Sequence, residues 1–173
     1  MSNVDRISKS VLVGFVPLTF PRDPIFVNLF DEHTVLGKIF EPLLEADKNG
    51  VLIPGIASDW ITSENGKTIT FSLMKDRHFS NGSLVTIDDV VYSIKRHLES
   101  SKSQSRDFLK DVLDVSETPF KKVAIQLSKP NPAVLKALTR DHLGILPNGW
   151  IFDAASDEPL IGCGPYPVVR DMK

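Results

Sequence analysis

The chain has 173 residues, 42% of them hydrophobic and 24% charged, which is the make-up of one globular domain able to bury a real core. Its formal net charge of -2 provides no basic footprint, so nucleic acid and anionic membrane surfaces gain no general electrostatic support as partners. No apolar run approaches the ~18 residues that a membrane-spanning helix needs, and the single cysteine, Cys163, excludes an internal disulfide.

The opening Met1-Ser2-Asn3-Val4-Asp5-Arg6 lacks the charged-then-apolar plan of a secretory signal, so such a signal is absent or already removed, and residues 1–9 read as a tail. Residues 10–16 are rich in β-branched and apolar side chains and stop at Pro17, which has no amide hydrogen for a ladder; a short buried strand is expected. Pro17, Pro21 and Pro24 then predict an ordered loop. Asp31 is placed to cap a helix whose apolar stripe is Val35, Leu36, Ile39, Phe40, Leu43 and Leu44. Asp47-Lys48-Asn49-Gly50 and Ser63-Glu64-Asn65-Gly66 are turn signals, each joining short strands. Residues 68–73 alternate with period two, which turns Ile69, Phe71 and Leu73 inward.

Phe79-Ser80-Asn81-Gly82 signals a further turn. Thr86 with Asp89 approximates a capping box ahead of Ile87, Val90, Val91, Ile94 and Leu98, predicting a helix over about 87–99. The serine-rich tract 100–105 reads as mobile, followed by a short amphipathic piece with Phe108, Leu109, Val112 and Leu113. Val123, Ile125 and Leu127 alternate as a strand, Pro130 and Pro132 end it, and residues 133–139 read as a brief helix. Beyond Pro147 the chain is loop-rich until Gly162-Cys163-Gly164-Pro165-Tyr166, which introduces a last strand near Val168. This irregular alternation with hairpin signals predicts a mixed α/β sheet rather than repeated βαβ units.

Chemistry-bearing residues are sparse. His33, His78, His97 and His142 form no His-x3-His or Cys-x2-Cys pair, so no protein-made metal site is expected. Asp88 and Asp89 diverge on a helix, and Asp89 is better explained as a cap partner. Cys163 lies between two glycines with His142 upstream, but no orienting third group is suggested; a buried thiol is expected and no catalytic residue is assigned. Gly162-x-Gly164 lacks the third glycine of a dinucleotide fingerprint. Phe15, Leu18, Phe20, Ile25, Phe26, Leu29 and Phe30 either plug one end of the core or partly face a ligand. Arg106 and Arg140 can each present a guanidinium to a carboxylate, though an isolated arginine is ordinarily solvated.

Several blocks carry a family resemblance when taken in order: Phe40-Glu41-Pro42-Leu43-Leu44-Glu45; Pro54-Gly55-Ile56-Ala57-Ser58-Asp59-Trp60; Asn65-Gly66-Lys67-Thr68; Phe79-Ser80-Asn81-Gly82; and Asp89-Val90-Val91. At these spacings they resemble the extracellular solute-binding proteins of the peptide/nickel class, which deliver ligands to ABC importers. Gly162-Cys163-Gly164-Pro165-Tyr166 looks like that family's Gly-Thr-Gly-Pro-Tyr, with Cys163 in place of threonine.

The resemblance implies an α/β lobe of the type II periplasmic-binding-protein-like fold, with residues 10–173 as the N-terminal part of lobe one and the second lobe missing. It implies a non-enzymatic component, without cofactor, that holds a peptide or related small solute such as a metal chelate between two lobes. ABC permease subunits would be its partners and the periplasm or outer cell surface its location. The family's geometry points to Phe20, Phe26, His33, Arg106, Arg140 and His142 as ligand-binding residues. The alternative is the ligand-sensing domain of a regulatory protein that reuses this fold. A partial lobe alone is expected to bind weakly, because one side of a cleft buries too little ligand surface to offset association entropy.

Overall fold

The computed structural model describes residues 23–26, 30–151 and 160–166, except for the side chains of 30–32. The strand expected over 10–16, Phe20 and the strand expected near Val168 lie outside the described residues.

The first helix, α1, runs Phe30–Ile39 and is shorter than the apolar stripe predicts. Glu41 precedes Pro42, and the proline ring drives the residue before it out of helical conformation, so the helix ends ahead of that pair. Phe40, Leu43 and Leu44 are fully buried all the same, and Leu44 opens a strand. Asp31 is a helical residue here rather than the cap.

β1 (Leu44–Ala46) and β2 (Leu52–Pro54) form an antiparallel hairpin. At its turn the Asp47 carboxylate accepts from the amides of Asn49 (2.8 Å) and Val51 (2.9 Å), and Gly50 takes φ of 79°. β3 (Ala57–Thr62), β4 (Thr68–Leu73), β5 (Val112–Glu117) and β6 (Val123–Leu127) form a four-stranded sheet in the order β3-β4-β6-β5, antiparallel throughout. Ile69 and Phe71 of β4 and Val123, Ile125 and Leu127 of β6 face the main core, as their alternation predicts.

α2 (Ile87–Glu99) packs against β5 and starts at a complete capping box, with the Asp89 Oδ2 accepting from the Thr86 amide at 2.6 Å. The second Asp89 oxygen accepts from the Asn148 amide at 2.6 Å, and Ser93 accepts from the Leu146 amide at 2.9 Å, which ties α2 to the segment 145–148. A short helix α3 (Ala133–Ala137) follows β6.

Two expectations for 100–117 are corrected. The serine tract, expected to be mobile, is packed into the fold: Ser103 and Ser105 are buried, and the Ser103 hydroxyl meets His97 Nδ1 at 2.8 Å. The Ser103 hydroxyl is what gives the buried imidazole a partner. Val112 and Leu113 belong to β5, where a register shift between Val112 and Asp114 breaks the two-residue alternation and leaves Val112 and Val115 buried with helix-like spacing.

Several of the motif blocks converge on one another. The amides of Ile56 and Ala57 donate to the carbonyls of Pro42 (3.3 Å) and Leu43 (2.9 Å), Ile145 donates to Glu41 (2.9 Å), and Ser80 donates to Gly162 (2.8 Å). Gly164 and Tyr166 donate to Ile39 (2.8 Å) and Lys38 (3.1 Å), closing the C-terminal end of α1. A Cβ at Gly162 would sit 2.0 Å from the Ile39 carbonyl oxygen, so only glycine permits this approach. A smaller cluster of Leu36, Ile39, Phe40, Leu146 and Leu160, with Val35 and Trp150 against it, lies beside the main core.

Candidate functional site

Four pieces of chain meet at one edge of the molecule: the 3-10 turn Pro24–Phe26, α1, the loop 100–111 and a second 3-10 turn, Asp141–Leu143. The first turn is held from below. Asp23 accepts from the Ile25 amide at 3.0 Å and pairs through its other oxygen with Arg96 of α2, and both partners are well shielded. The Arg96 guanidinium also lies over the rings of Tyr92 (5.6 Å) and Trp150 (5.9 Å). Phe26 is thereby placed where Lys102 stands 5.5 Å above its ring.

The second turn follows α3 and brings Asp141 and His142 against α1. Gly37 makes this possible, since a Cβ there would meet the Asp141 Cβ at 2.9 Å. His33, one turn earlier on the same helical face, then places Nδ1 2.9 Å from Asp141 Oδ1. The His33 and His142 rings approach at 5.3 Å in an edge-on arrangement, 68° between planes. Burial opposes ionisation of Asp141, but contacts with His142 and His33 outweigh it and hold its carboxyl below the ordinary carboxylate value.

His142 is 5% exposed, and neither of its ring nitrogens has a hydrogen-bond partner among the described residues. Burying a polar group that way costs ~1–3 kcal/mol, so the imidazole is expensive where it stands. Behind it, His97 is driven down to about 3 by burial, reinforced by the neighbouring His142 and Arg96, and stays neutral at physiological pH. Arg140 is exposed, with its guanidinium 4.0 Å from the centre of the Phe108 ring. Phe108 itself is 43% exposed, so this pair presents a cationic and an aromatic surface to solvent.

Of the residues singled out in the sequence, Phe26, His33, Arg140 and His142 meet at this edge. Arg106 is exposed on the same loop as Phe108, and Phe20 is outside the described residues. Asp141 was missed. It lies 108 residues from His33, beyond the reach of any spacing rule, and the only local hint was a glycine inside an otherwise regular helix.

The rest of the chemical inventory is structural. Cys163 is buried, donates to the Ile145 carbonyl at 3.7 Å, and is pushed by burial up to about 11. Glu41 is buried and pairs with Arg77; burial raises its carboxyl above the ordinary value despite the guanidinium. Trp60 is half-buried against the main core, as its bulk predicts.

The family model for bacterial extracellular solute-binding proteins, family 5 (Middle) matches residues 51–171, well over half of the chain. The oligopeptide-binding protein OppA of Haemophilus influenzae is 37% identical over 83 residues, covering 48% of this chain and 15% of that protein. The nickel-binding periplasmic protein of Escherichia coli K12 is 48% identical over 61 residues, covering 34% of this chain and 12% of its own length. Among solved structures, NikZ of Campylobacter jejuni in complex with Ni(L-His) superposes with a TM-score of 0.73 at 29% identity, over 86% of this chain and 30% of that one. The unliganded open form of the murein tripeptide-binding protein MppA gives 0.75 at 24% identity, over 85% of this chain and 32% of that one, which speaks to fold alone. The architecture is thus that of the type II periplasmic-binding-protein lobe, and the chain spans only a minor share of the proteins it matches. The chain belongs to the bacterial extracellular solute-binding proteins, family 5.

Proposed function

We propose that this chain builds part of lobe one of a two-lobed, non-enzymatic substrate-binding protein that serves an ABC importer outside the cytoplasm. Its ligand is a peptide or another small solute such as a metal chelate. The edge carrying Phe26, His33, Phe108, Arg140 and His142 is the side turned to that ligand. Arg106, exposed on the loop that carries Phe108, and Phe20 complete the proposed set of ligand-binding residues.

The observation that carries this reading is a division of labour. The blocks around Glu41–Leu43, Ile56–Ala57, Ser80 and Gly162–Gly164 spend their main-chain hydrogen bonds on one another and on the core. The cationic, imidazole and aromatic groups at the edge are not used that way, and Arg140 and Phe108 stay open to solvent. Relatives described as oligopeptide-binding and nickel-binding support the two ligand classes. Peptide main chain can be held by hydrogen bonds that ignore side-chain identity, and closure of a second lobe would bury it by a population shift toward the closed form. The sheltered, high-pKa thiol of Cys163 supports a role in packing rather than turnover.

A chimera tests the assignment: residues 23–166, which include Phe26, replace the matching segment of the E. coli nickel-binding relative or of the Haemophilus OppA, and binding is followed by calorimetry. Arg140→Ala and Phe26→Ala should each weaken binding by ~10-fold with unchanged circular dichroism, the loss expected for a well-packed contact. Unchanged affinity in both variants would remove this edge from the ligand surface.

A further inference from the structure

We infer that His33, Asp141 and His142 form a site for one late first-row divalent cation, of which Zn2+ and Ni2+ fit the donors best. The inference rests on the edge proposed above to face the ligand and names a cation for it, and its test reads metal binding by the chain alone, so it can fail without the transport reading failing.

Geometry is the first support. One ligand atom from each of the three residues lies within 4.8 Å of the other two. Donors around a single such ion stand ~3–4 Å apart, given metal–ligand distances of ~2.0–2.2 Å, so a small inward rotation of the side chains completes the set. The backbone has already done the larger part. Gly37 admits Asp141 to the face of α1 that carries His33, and the adjacent pair Asp141 and His142 comes as a unit on one turn.

The second support is independent. His142 is buried, its ring nitrogens find no hydrogen-bond partner among the described residues, and its Nδ1 stands 3.5 Å from Asp141 Oδ1 without closing a hydrogen bond. A cation accepting that lone pair would satisfy it, while the same carboxylate oxygen already faces His33 Nδ1 at 2.9 Å. The third support is access. His33 and Asp141 keep 28% and 32% of their side-chain surface exposed, against 6% for His142, so an ion can enter from solvent and stop at the buried imidazole.

Two imidazoles and one carboxylate are donors of intermediate softness, which disfavours Ca2+ and Mg2+ and suits Zn2+ or Ni2+. Three protein ligands leave coordination positions open toward solvent, where a small chelating molecule can complete the shell. Cys163 takes no part, since its thiol donates to the Ile145 carbonyl in the core.

The test uses a tag-free 173-residue chain, stripped of metal by dialysis against a chelator and titrated calorimetrically with Zn2+ and, separately, Ni2+ near neutral pH. One ion should bind per chain with a Kd of ~1–100 µM, weakening in mild acid as protons compete for the imidazoles. His33→Ala and Asp141→Asn should each weaken binding by ~10-fold or more, and His78→Ala, at an exposed histidine outside the cluster, should leave it unchanged. Because truncating the buried His142 endangers the fold, its part is read by NMR: its imidazole signals and those of His33 should move on Zn2+ addition while those of His78 stay. No saturable binding, or equal affinity in a folded His33→Ala/Asp141→Asn double variant, would overturn the site.

Discussion

At the scale of single residues, buried polar groups set how this chain responds to its environment. His97 is 2% exposed and its folded pKa is near 3, against 6.5 when unperturbed. A depressed pKa means the unfolded chain binds the extra proton first. The stability gained by keeping His97 neutral is therefore complete above pH 6.5 and is lost as pH falls toward 3. Urea midpoints should decline over that window with a contribution of ~1.4 kcal/mol per pH unit from this group, and His97→Gln should flatten the decline. An unchanged slope in the variant would show that other groups carry it. The same logic of burial makes Cys163 a poor nucleophile: a thiol-reactive disulfide should label it far more slowly in the folded chain than in denaturant, and equal rates would contradict its placement. Arg77 covers the buried Glu41 while remaining 39% exposed itself, so Arg77→Met should cost ~1–3 kcal/mol, reduced by that exposure, and Glu41→Gln/Arg77→Met together should cost less than Arg77→Met alone.

At the scale of elements, the strongest local signals translated directly into structure. Thr86→Ala removes half of a complete capping box and should lower stability by ~1 kcal/mol in chemical denaturation, with no effect expected if the cap were incidental. That box, the period-two run of β4 and the glycine turns at Gly50, Gly66 and Gly82 were legible because each is decided within a few residues. What was not legible depends on distant partners. The stripe through Leu43 and Leu44 announced burial correctly, yet Pro42 hands those leucines from helix to strand. β5 hid behind a bulge, and the serine tract read as loose because its buried partner, His97, is on another element. The candidate edge divides the same way. His33 and His142 stand out as residue types, whereas Asp141 becomes meaningful only once Gly37 lets two remote segments touch. Gly162→Ala tests that kind of contact, since a Cβ 2.0 Å from the Ile39 oxygen must displace the end of α1; a loss of ~3 kcal/mol or failure to fold is expected, and a neutral effect would contradict the packing.

At the scale of the whole molecule, the described residues leave the Arg140–Phe108 pair open on one surface, the one proposed to face a ligand. The chain covers about a third of the solved structures it superposes on, 30% of NikZ and 32% of MppA. A ligand resting on one surface keeps most of its hydration and gives too little burial to offset the entropy of association. In the proposed two-lobed protein, closure by a second lobe changes that balance, so affinity would belong to the pair of lobes and specificity to the edge proposed to face the ligand. The most direct test is native mass spectrometry after incubation with a mixture of short peptides and nickel chelates, run in parallel on the 173-residue chain and on the chimera that restores a second lobe. The expected result is that the chimera retains a solute through the gas phase while the chain alone retains no peptide. A chain that holds a peptide tightly without any second lobe, or a folded chimera that retains no solute at all, would contradict it.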